Sequence, residues 1–353
     1  MARVLVTGAS GYIGSVLVPM LQEQGDDVIG LDVGYFEPCV FGPEPPGIDL
    51  IRKDVRDLRL EDIPEVDAVM HLAALSNDAL GHLDPAITHE VNTLSTLRTA
   101  ELARERGVER FLFSSSCSLY GAGEGDTPLD ERASMHPQTP YGRSKQDSEA
   151  GLTKLATGNF SPVYLRNATA YGFSPRLRGD LVVNELVARA RVDGQVQLNS
   201  DGTAWRPLVH VEDICRAFIA ALRAPREVVH DLAFNVGTTA ENYTIRQVAE
   251  LICEAVPGSR VTFGEGAGPD TRSYRVSFEK LAEALPDAAP QWTLREGIRQ
   301  LLDAYEEHGI TIEDLVRARY SRIAWLLQER DAGRLDADLH RLNVHETTGA
   351  AAS

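Results

Sequence analysis

Short runs of Val, Ile and Leu alternate with longer stretches of helical periodicity through the first half of the chain, and no other feature constrains the fold as much. Strands are expected at Arg3 to Thr7, Asp27 to Asp32, Asp49 to Lys53, Ala68 to Leu72, Arg110 to Ser115 and Pro162 to Arg166. Several are apolar throughout, as strands of a parallel sheet covered on both faces must be. Helices are expected over about Tyr12 to Gln24, Ile87 to Arg106 and Tyr141 to Ala156. The second carries Ile87, Val91, Leu94 and Leu97 on one stripe. The expected fold class is α/β, a doubly wound parallel sheet with a smaller C-terminal lobe.

Beyond Tyr171 the texture changes, with frequent Arg and Gly and the punctuation of Pro175, Pro207 and Pro225. Further strands are expected at Pro207 to Val211 and Ala233 to Val236. The expected division is therefore 1–171 for the sheet, with 205–237 returning to it, and 172–312 for the second lobe. Residues 313–345 read as C-terminal helices with Val316, Tyr320, Ile323 and Leu327 on a common face, and 346–353 as a disordered tail.

Composition removes several classes of function. The chain has 353 residues, 35 Lys plus Arg and 52 Asp plus Glu, a formal net charge of -17. Nucleic acid or an anionic bilayer would meet repulsion, so neither is expected as a partner. Cys39, Cys117, Cys215 and Cys253 are scattered without a C-x-x-C pair, which fits a reducing cytoplasm and neither a disulfide framework nor a zinc site. His82 and His89, seven apart across Pro85, make a poor metal pair, and no metal is expected. No apolar run approaches the roughly 18 residues that span a membrane, and Met1 leads directly into a strand without a signal sequence.

The first strand runs into Gly8-Ala9-Ser10-Gly11-Tyr12-Ile13-Gly14, which opens the first helix. Backbone amides and the positive helix end can hold a pyrophosphate there, provided no β-carbon blocks the turn. The G-x-x-G-x-x-G spacing matches the dinucleotide fingerprint only loosely. Asp32, ending the second strand 18 residues past Gly14, strengthens it, because a carboxylate there can accept hydrogen bonds from both ribose hydroxyls. Val33-Gly34-Tyr35-Phe36 offers no cation for a 2′-phosphate, so the expected cofactor is NAD rather than NADP. Asp54, Val55, Leu72, Ala73 and Ala74 follow the third and fourth strands, where they either flank the cofactor or pack the strand ends.

Tyr141 and Lys145, four apart behind Pro140, share a helix face on which an ammonium can favour tyrosinate. By itself the pair also fits a solvated helix. Ser114-Ser115-Ser116-Cys117-Ser118 stands at the carboxyl end of the fifth strand, where open parallel sheets bind ligands, and Ser116 precedes Tyr141 by 25 residues.

These motifs together resemble an extended short-chain dehydrogenase/reductase of the NAD-dependent nucleotide-sugar epimerase/dehydratase family, over about residues 3 to 300. The resemblance implies a Rossmann-type sheet with a substrate-binding lobe. It makes Tyr141 the general base, Lys145 the residue that lowers its pKa and binds the nicotinamide ribose, and Ser116 a hydrogen-bond partner of the same sugar oxygen. Asn92 would bind on the cofactor side and support the site's framework. The segments around Leu165 to Gly172, Trp205 to Asp213 and Asp270 to Arg272 resemble nucleotide-sugar-binding segments, with Thr169, Arg206 and Arg272 at substrate positions and Arg176, Arg178 and Arg275 as further cations. A homodimer through the helices at 87–106 and 141–156 is implied as well.

Two departures narrow the reaction. Dehydratases of this family place an Asp-Glu pair where Cys117-Ser118 stands, and many relatives carry Asn at the position of Thr169. Cys117 is either a proton donor or acceptor beside the nicotinamide or a small side chain packed at a strand end, and the frequent burial of free cysteine favours packing. The expected function is epimerisation of a nucleotide-diphosphate sugar, at C4, with a dehydratase or 4-ketoreductase, or a non-catalytic NAD-binding regulator, as the alternatives.

Overall fold

Strand β1 (Arg3–Thr7) occupies the interior of a seven-stranded sheet in which every pairing is parallel. The computed structural model describes residues 1–45, 47–76, 78, 84–123, 127–270, 272–316 and 318–342. On one side of β1 lie β2 (Asp27–Asp32) and β3 (Asp49–Arg52). On the other side stand, in order, β4 (Ala68–His71), β5 (Arg110–Ser116), β6 (Ser161–Asn167) and β7 (Leu232–Val236).

Alternate residues of the strands feed two cores. Val4, Val6, Leu112, Val163 and Leu165 pack under α1 (Gly14–Glu23) and a later helix, Val211–Arg223. Leu5, Leu31, Val69, Phe111 and Phe113 form the opposite core with Ala100, Ala103 and Leu152. Those last three come from α2, built of Pro85–His89, Glu90–Leu94 and Ser95–Glu105, and from α3 (Pro140–Thr153). β4 and β6 are buried along their whole length, which is why they carry no polar alternation.

A third core unites the helices Val182–Asp193, Ile245–Ala255 and Leu294–His308 through Val183, Val187, Val248, Ile252, Ile298 and Leu301. Two small sheets accompany it. Gln195–Ser200 pairs with Arg260–Gly268, and Trp205–His210 lies between Thr169–Tyr171 and Asn242–Thr244. Among the described residues no helix is long and apolar enough to cross a membrane.

Two expected stripes are corrected. In α2 the segment Glu90–Leu94 is a π turn, which adds a residue to the turn and rotates the remainder of the helix about its axis. Ile87 and Val91 are buried, whereas Leu94 is 52% exposed and Asn92 points into the protein. Near the C-terminus, Leu326 rather than Leu327 is fully buried in α4 (Arg322–Asp331), together with Arg322 and Glu329. Tyr320 is buried as expected, while the side chain of Val316 and the tail at 346–353 lie outside the described residues. Leu326, Leu335 and Leu339 cover Ile87, Val91, Leu75 and Tyr35, so the chain itself covers part of the stripe on α2.

Candidate active site

The strand order reverses at β1, so the connections leaving β1 and β4 diverge and open a crevice at their carboxyl ends. A cavity of about 980 Å³ occupies it. Gly8 leaves β1 at φ +73°, and a β-carbon there would stand 2.8 Å from the Ala73 backbone nitrogen. At Gly14 it would stand 2.3 Å from the Gly8 carbonyl oxygen, so the turn closes only with glycine. Gly8, Gly11, Tyr12, Ile13 and Gly14 all line the cavity beside the amino end of α1. This is a backbone cradle for an anion.

Asp32 projects from the end of β2 into the same crevice. One carboxylate oxygen accepts from the Ser10 N–H at 3.0 Å and the other from the Gly34 N–H at 2.7 Å, which fixes its plane. Burial raises its pKa, and the two backbone bonds oppose that rise. Asp54, Val55, Leu72, Ala73 and Ala74 line the cavity as well. The Asp54 carboxylate is held by Arg56 at 2.6 Å, and despite burial its pKa is lowered by the hydrogen bonds and charge of Arg56.

At the other end of the cavity Ser116, Tyr141 and Lys145 converge. Thr139 caps α3, accepting from the Gly142 N–H at 3.0 Å, and Pro140 occupies the first turn, so the tyrosine sits one residue into a fixed helix. Burial pushes the Tyr141 phenol up to about 12, and its hydrogen bond with the Ser116 hydroxyl works the other way. Lys145 is buried, its Nζ donating to the Ser114 carbonyl at 2.8 Å and standing 5.6 Å from the centroid of the Tyr141 ring. Burial pulls the ammonium down to about 7, while the Glu149 carboxylate opposes it.

On the cavity wall Arg206 and Arg272 bracket Asp270 at 2.7 and 3.0 Å, and Arg272 also reaches Asp78 at 2.7 Å. Thr169 lies on the same wall. Two guanidinium groups held side by side are suited to a diphosphate, whose oxygens would replace the carboxylate contacts.

The profile of the NAD dependent epimerase/dehydratase family matches residues 4–237. The chain belongs to this family. A UDP-glucose 4-epimerase of Mycolicibacterium smegmatis is 30% identical over 315 residues, covering 86% of this chain and 98% of its own. UDP-glucuronic acid decarboxylase 1 of Arabidopsis thaliana is 28% identical over 324 residues, covering 86% and 69%. Among solved structures, MoeE5 in complex with UDP-glucose and NAD superposes with a TM-score of 0.74 at 30% identity, covering 86% of this chain and 99% of that one. NAD is the cofactor of this family, and the glycine cradle and the Asp32 carboxylate fit it. A further fit is the Asn167 Oδ1, buried at the cavity wall without a partner among the described residues.

Two expected site residues of this epimerase/dehydratase do not reach the cavity. Asn92 is fully buried, accepting from the Leu75 N–H at 2.8 Å and donating to the Leu75 carbonyl and the Ser144 hydroxyl, each at 3.1 Å. It ties the loop after β4 to α3, in keeping with the framework role that the resemblance implies. Cys117 is 1% exposed, its thiol on the Arg166 carbonyl at 3.2 Å and its pKa raised by burial. It packs in the core, as the frequent burial of free cysteine favoured. Of the further arginines, Arg178 lines the cavity in an ion pair with Asp180 at 2.9 Å. Arg176 pairs instead with Glu44, and Arg275 stacks on Trp205 at 4.9 Å.

The structure adds Asp78, Asn167, Ser118, Tyr274 and Arg322 to the lining. A polar residue ending β6 was a sequence signal for Asn167. Nothing local marks Asp78 or Arg322, which reach the site only through tertiary packing. Among the described residues, which leave out His82, no cluster of His, Cys, Asp or Glu is arranged to hold a metal.

Proposed function

We propose that this protein epimerises a nucleotide-diphosphate sugar at C4 through a transient 4-keto sugar. UDP-hexoses are the first candidates, because the relatives at 28–30% identity carry the names of enzymes acting on UDP sugars. The observation that carries the reading is the pair of residues after Ser116. Cys117 faces the core, and Ser118 carries a hydroxyl where a carboxylate would be needed, so neither offers a base for a carbon-bound proton. What remains is machinery for moving one hydride and one hydroxyl proton.

NAD, when bound, supplies the hydride acceptor and an oxidised, positively charged ring. Ser116 hydrogen-bonds the Tyr141 phenol and aligns it with the sugar hydroxyl. Lys145 is pinned to the Ser114 carbonyl on the ring side of the tyrosine, and the Ser116 hydrogen bond and the charge of Arg178 work against the burial that pushes the phenol up. Tyr141 then takes the C4 hydroxyl proton and later returns it. Arg206 and Arg272 would hold the diphosphate, leaving the hexose free to present either face. A homodimer through the outer faces of α2 and α3 belongs to the same reading.

Turnover of UDP-glucose and UDP-galactose in deuterium oxide, monitored by NMR, tests it. A C4 epimer without carbon-bound deuterium is expected, since the hydride never meets solvent. Deuterium at C3 or C5, or loss of water from the sugar, would replace epimerisation with a dehydratase or ketoreductase. Failure to turn over any of a panel of nucleotide sugars, with NAD bound, would leave the regulatory alternative.

A further inference from the structure

The family match ends at residue 237, yet the segment from 318 to 342 is built onto the cofactor end of the cavity. The Trp325 Nε1 donates to the Tyr35 carbonyl at 2.8 Å, Arg341 Nε to the Val33 carbonyl at 2.9 Å, and the Tyr35 hydroxyl to the Leu339 carbonyl. Arg56 donates to the Asp338 carbonyl at 2.6 Å. The segment thus clamps the loop just past Asp32, and Leu326, Leu335 and Leu339 bury it against Tyr35 and α2.

Arg322, the first residue of α4, is the part of this clamp that enters the cavity. It is 3% exposed, lies 4.0 Å over the Phe36 ring, and donates from Nη2 to the Arg176 carbonyl at 2.8 Å. Its Nη1 is buried and has no hydrogen-bond partner among the described residues. No carboxylate among the described residues forms an ion pair with it, although Asp32 and Asp180 are close enough to act on it through space. A buried guanidinium with an unbonded N–H and no directly paired carboxylate is costly unless something else brings negative charge to it.

We propose that the C-terminal segment completes the NAD site, with Arg322 donating its free N–H to the pyrophosphate of the bound dinucleotide. This rests on NAD occupying the cavity. In NAD the adenine and riboses are uncharged, so the pyrophosphate is the anion available to a cation at this end. A 2′-phosphate is the other dinucleotide anion, but it would meet Asp32, whose carboxylate the Ser10 and Gly34 amides hold in place. Burial and the nearby Arg178 pull Arg322 down to about 10, which leaves it a cation at neutral pH. The segment is therefore a strap whose seating and the retention of NAD favour each other.

Calorimetric titration of the full-length, cofactor-stripped protein with NAD, NADP, ADP and adenosine tests this, comparing wild type with Arg322→Gln and Arg322→Lys. Arg322→Gln is expected to weaken NAD and ADP at least tenfold and leave adenosine within twofold. It should also lose NAD during purification, with Arg322→Lys intermediate. Unchanged NAD and ADP affinity in either variant would overturn the proposal. So would an equal loss for adenosine, which marks a merely structural strap, or a larger loss for NADP than for NAD, which marks a 2′-phosphate site. If Arg322→Gln does not fold, Arg322→Lys with full ADP affinity overturns it equally. Wild type that takes up neither NAD nor ADP would overturn the cofactor assignment itself, a result separable from all of these.

Discussion

Tyr141 and Lys145 show what a residue inherits from its setting. The Tyr141 phenol is pushed up to about 12 by burial, so the proposed role as a base depends on Ser116 and on nearby positive charge. Tyr141→Phe keeps the ring and removes only the proton acceptor. Activity should fall by about two to four orders of magnitude, while circular dichroism and NAD affinity stay unchanged. Wild-type turnover in that variant would displace the proposed site. Lys145 carries a different signature. Its native pKa is lowered to about 7 from an ordinary 10.5, so the native state resists the proton that the unfolded chain holds. The penalty is complete below pH 7 and fades as pH rises towards 10.5, by at most about 1.4 kcal/mol per pH unit. Urea unfolding of cofactor-free protein should show this rise, and Lys145→Met should flatten it. Helix geometry made the shared face of Tyr141 and Lys145 legible, and their joining with Ser116 was legible only through the family resemblance. The inward turn of Cys117 was not, since its direction depends on how the chain bends after β5.

At the scale of elements, the junction of β1, β4 and α2 is held by His71. Its two ring nitrogens lie 2.9 Å from the Thr7 hydroxyl and 3.0 Å from the Thr96 hydroxyl, and burial pulls its pKa to about 3. A histidine held neutral is a liability in acid, because the unfolded chain gains a proton near pH 6.5 that the native state refuses. Stability from this group is intact above pH 6.5 and declines below it, by about 2 kcal/mol at pH 5. His71→Gln should be less stable at pH 7.5 but lose less on going to pH 5. A wild-type and variant difference that is constant with pH would refute the assignment. Strand positions were readable from continuous apolar runs, and observed and expected ends differ by a residue or so, as for β3 ending at Arg52 rather than Lys53. The π turn in α2 was not readable from the apolar spacing, and Asn92 within it bonds to Leu75 and Ser144, partners outside the helix.

For the whole molecule, a net charge of -17 has to coexist with a site for anionic ligands. It does so by concentrating Arg178, Arg206, Arg272 and Arg322 along one cavity, each oriented by acidic or backbone partners. The C-terminal segment also bears on assembly. It covers Ile87 and Val91 and leaves Leu94 as the exposed apolar side chain on α2, so the proposed dimer should be centred near Leu94 and the exposed side of α3. Light scattering is expected to give a dimer at micromolar concentration and a monomer for Leu94→Glu. A wild-type monomer would remove the proposal. By itself the amino-acid sequence determined the parallel sheet, the glycine turn, Asp32 and the shared helix face of Tyr141 and Lys145, because each depends on local periodicity or on a short fixed spacing, while Ser116 joined them through the family resemblance. Only the tertiary structure decided that Asn92 is buried between Leu75 and Ser144, that Cys117 packs, and that Asp78 and Arg322 join the cavity. Those outcomes depend on which distant segments meet, and contacts between segments leave no period in the chain.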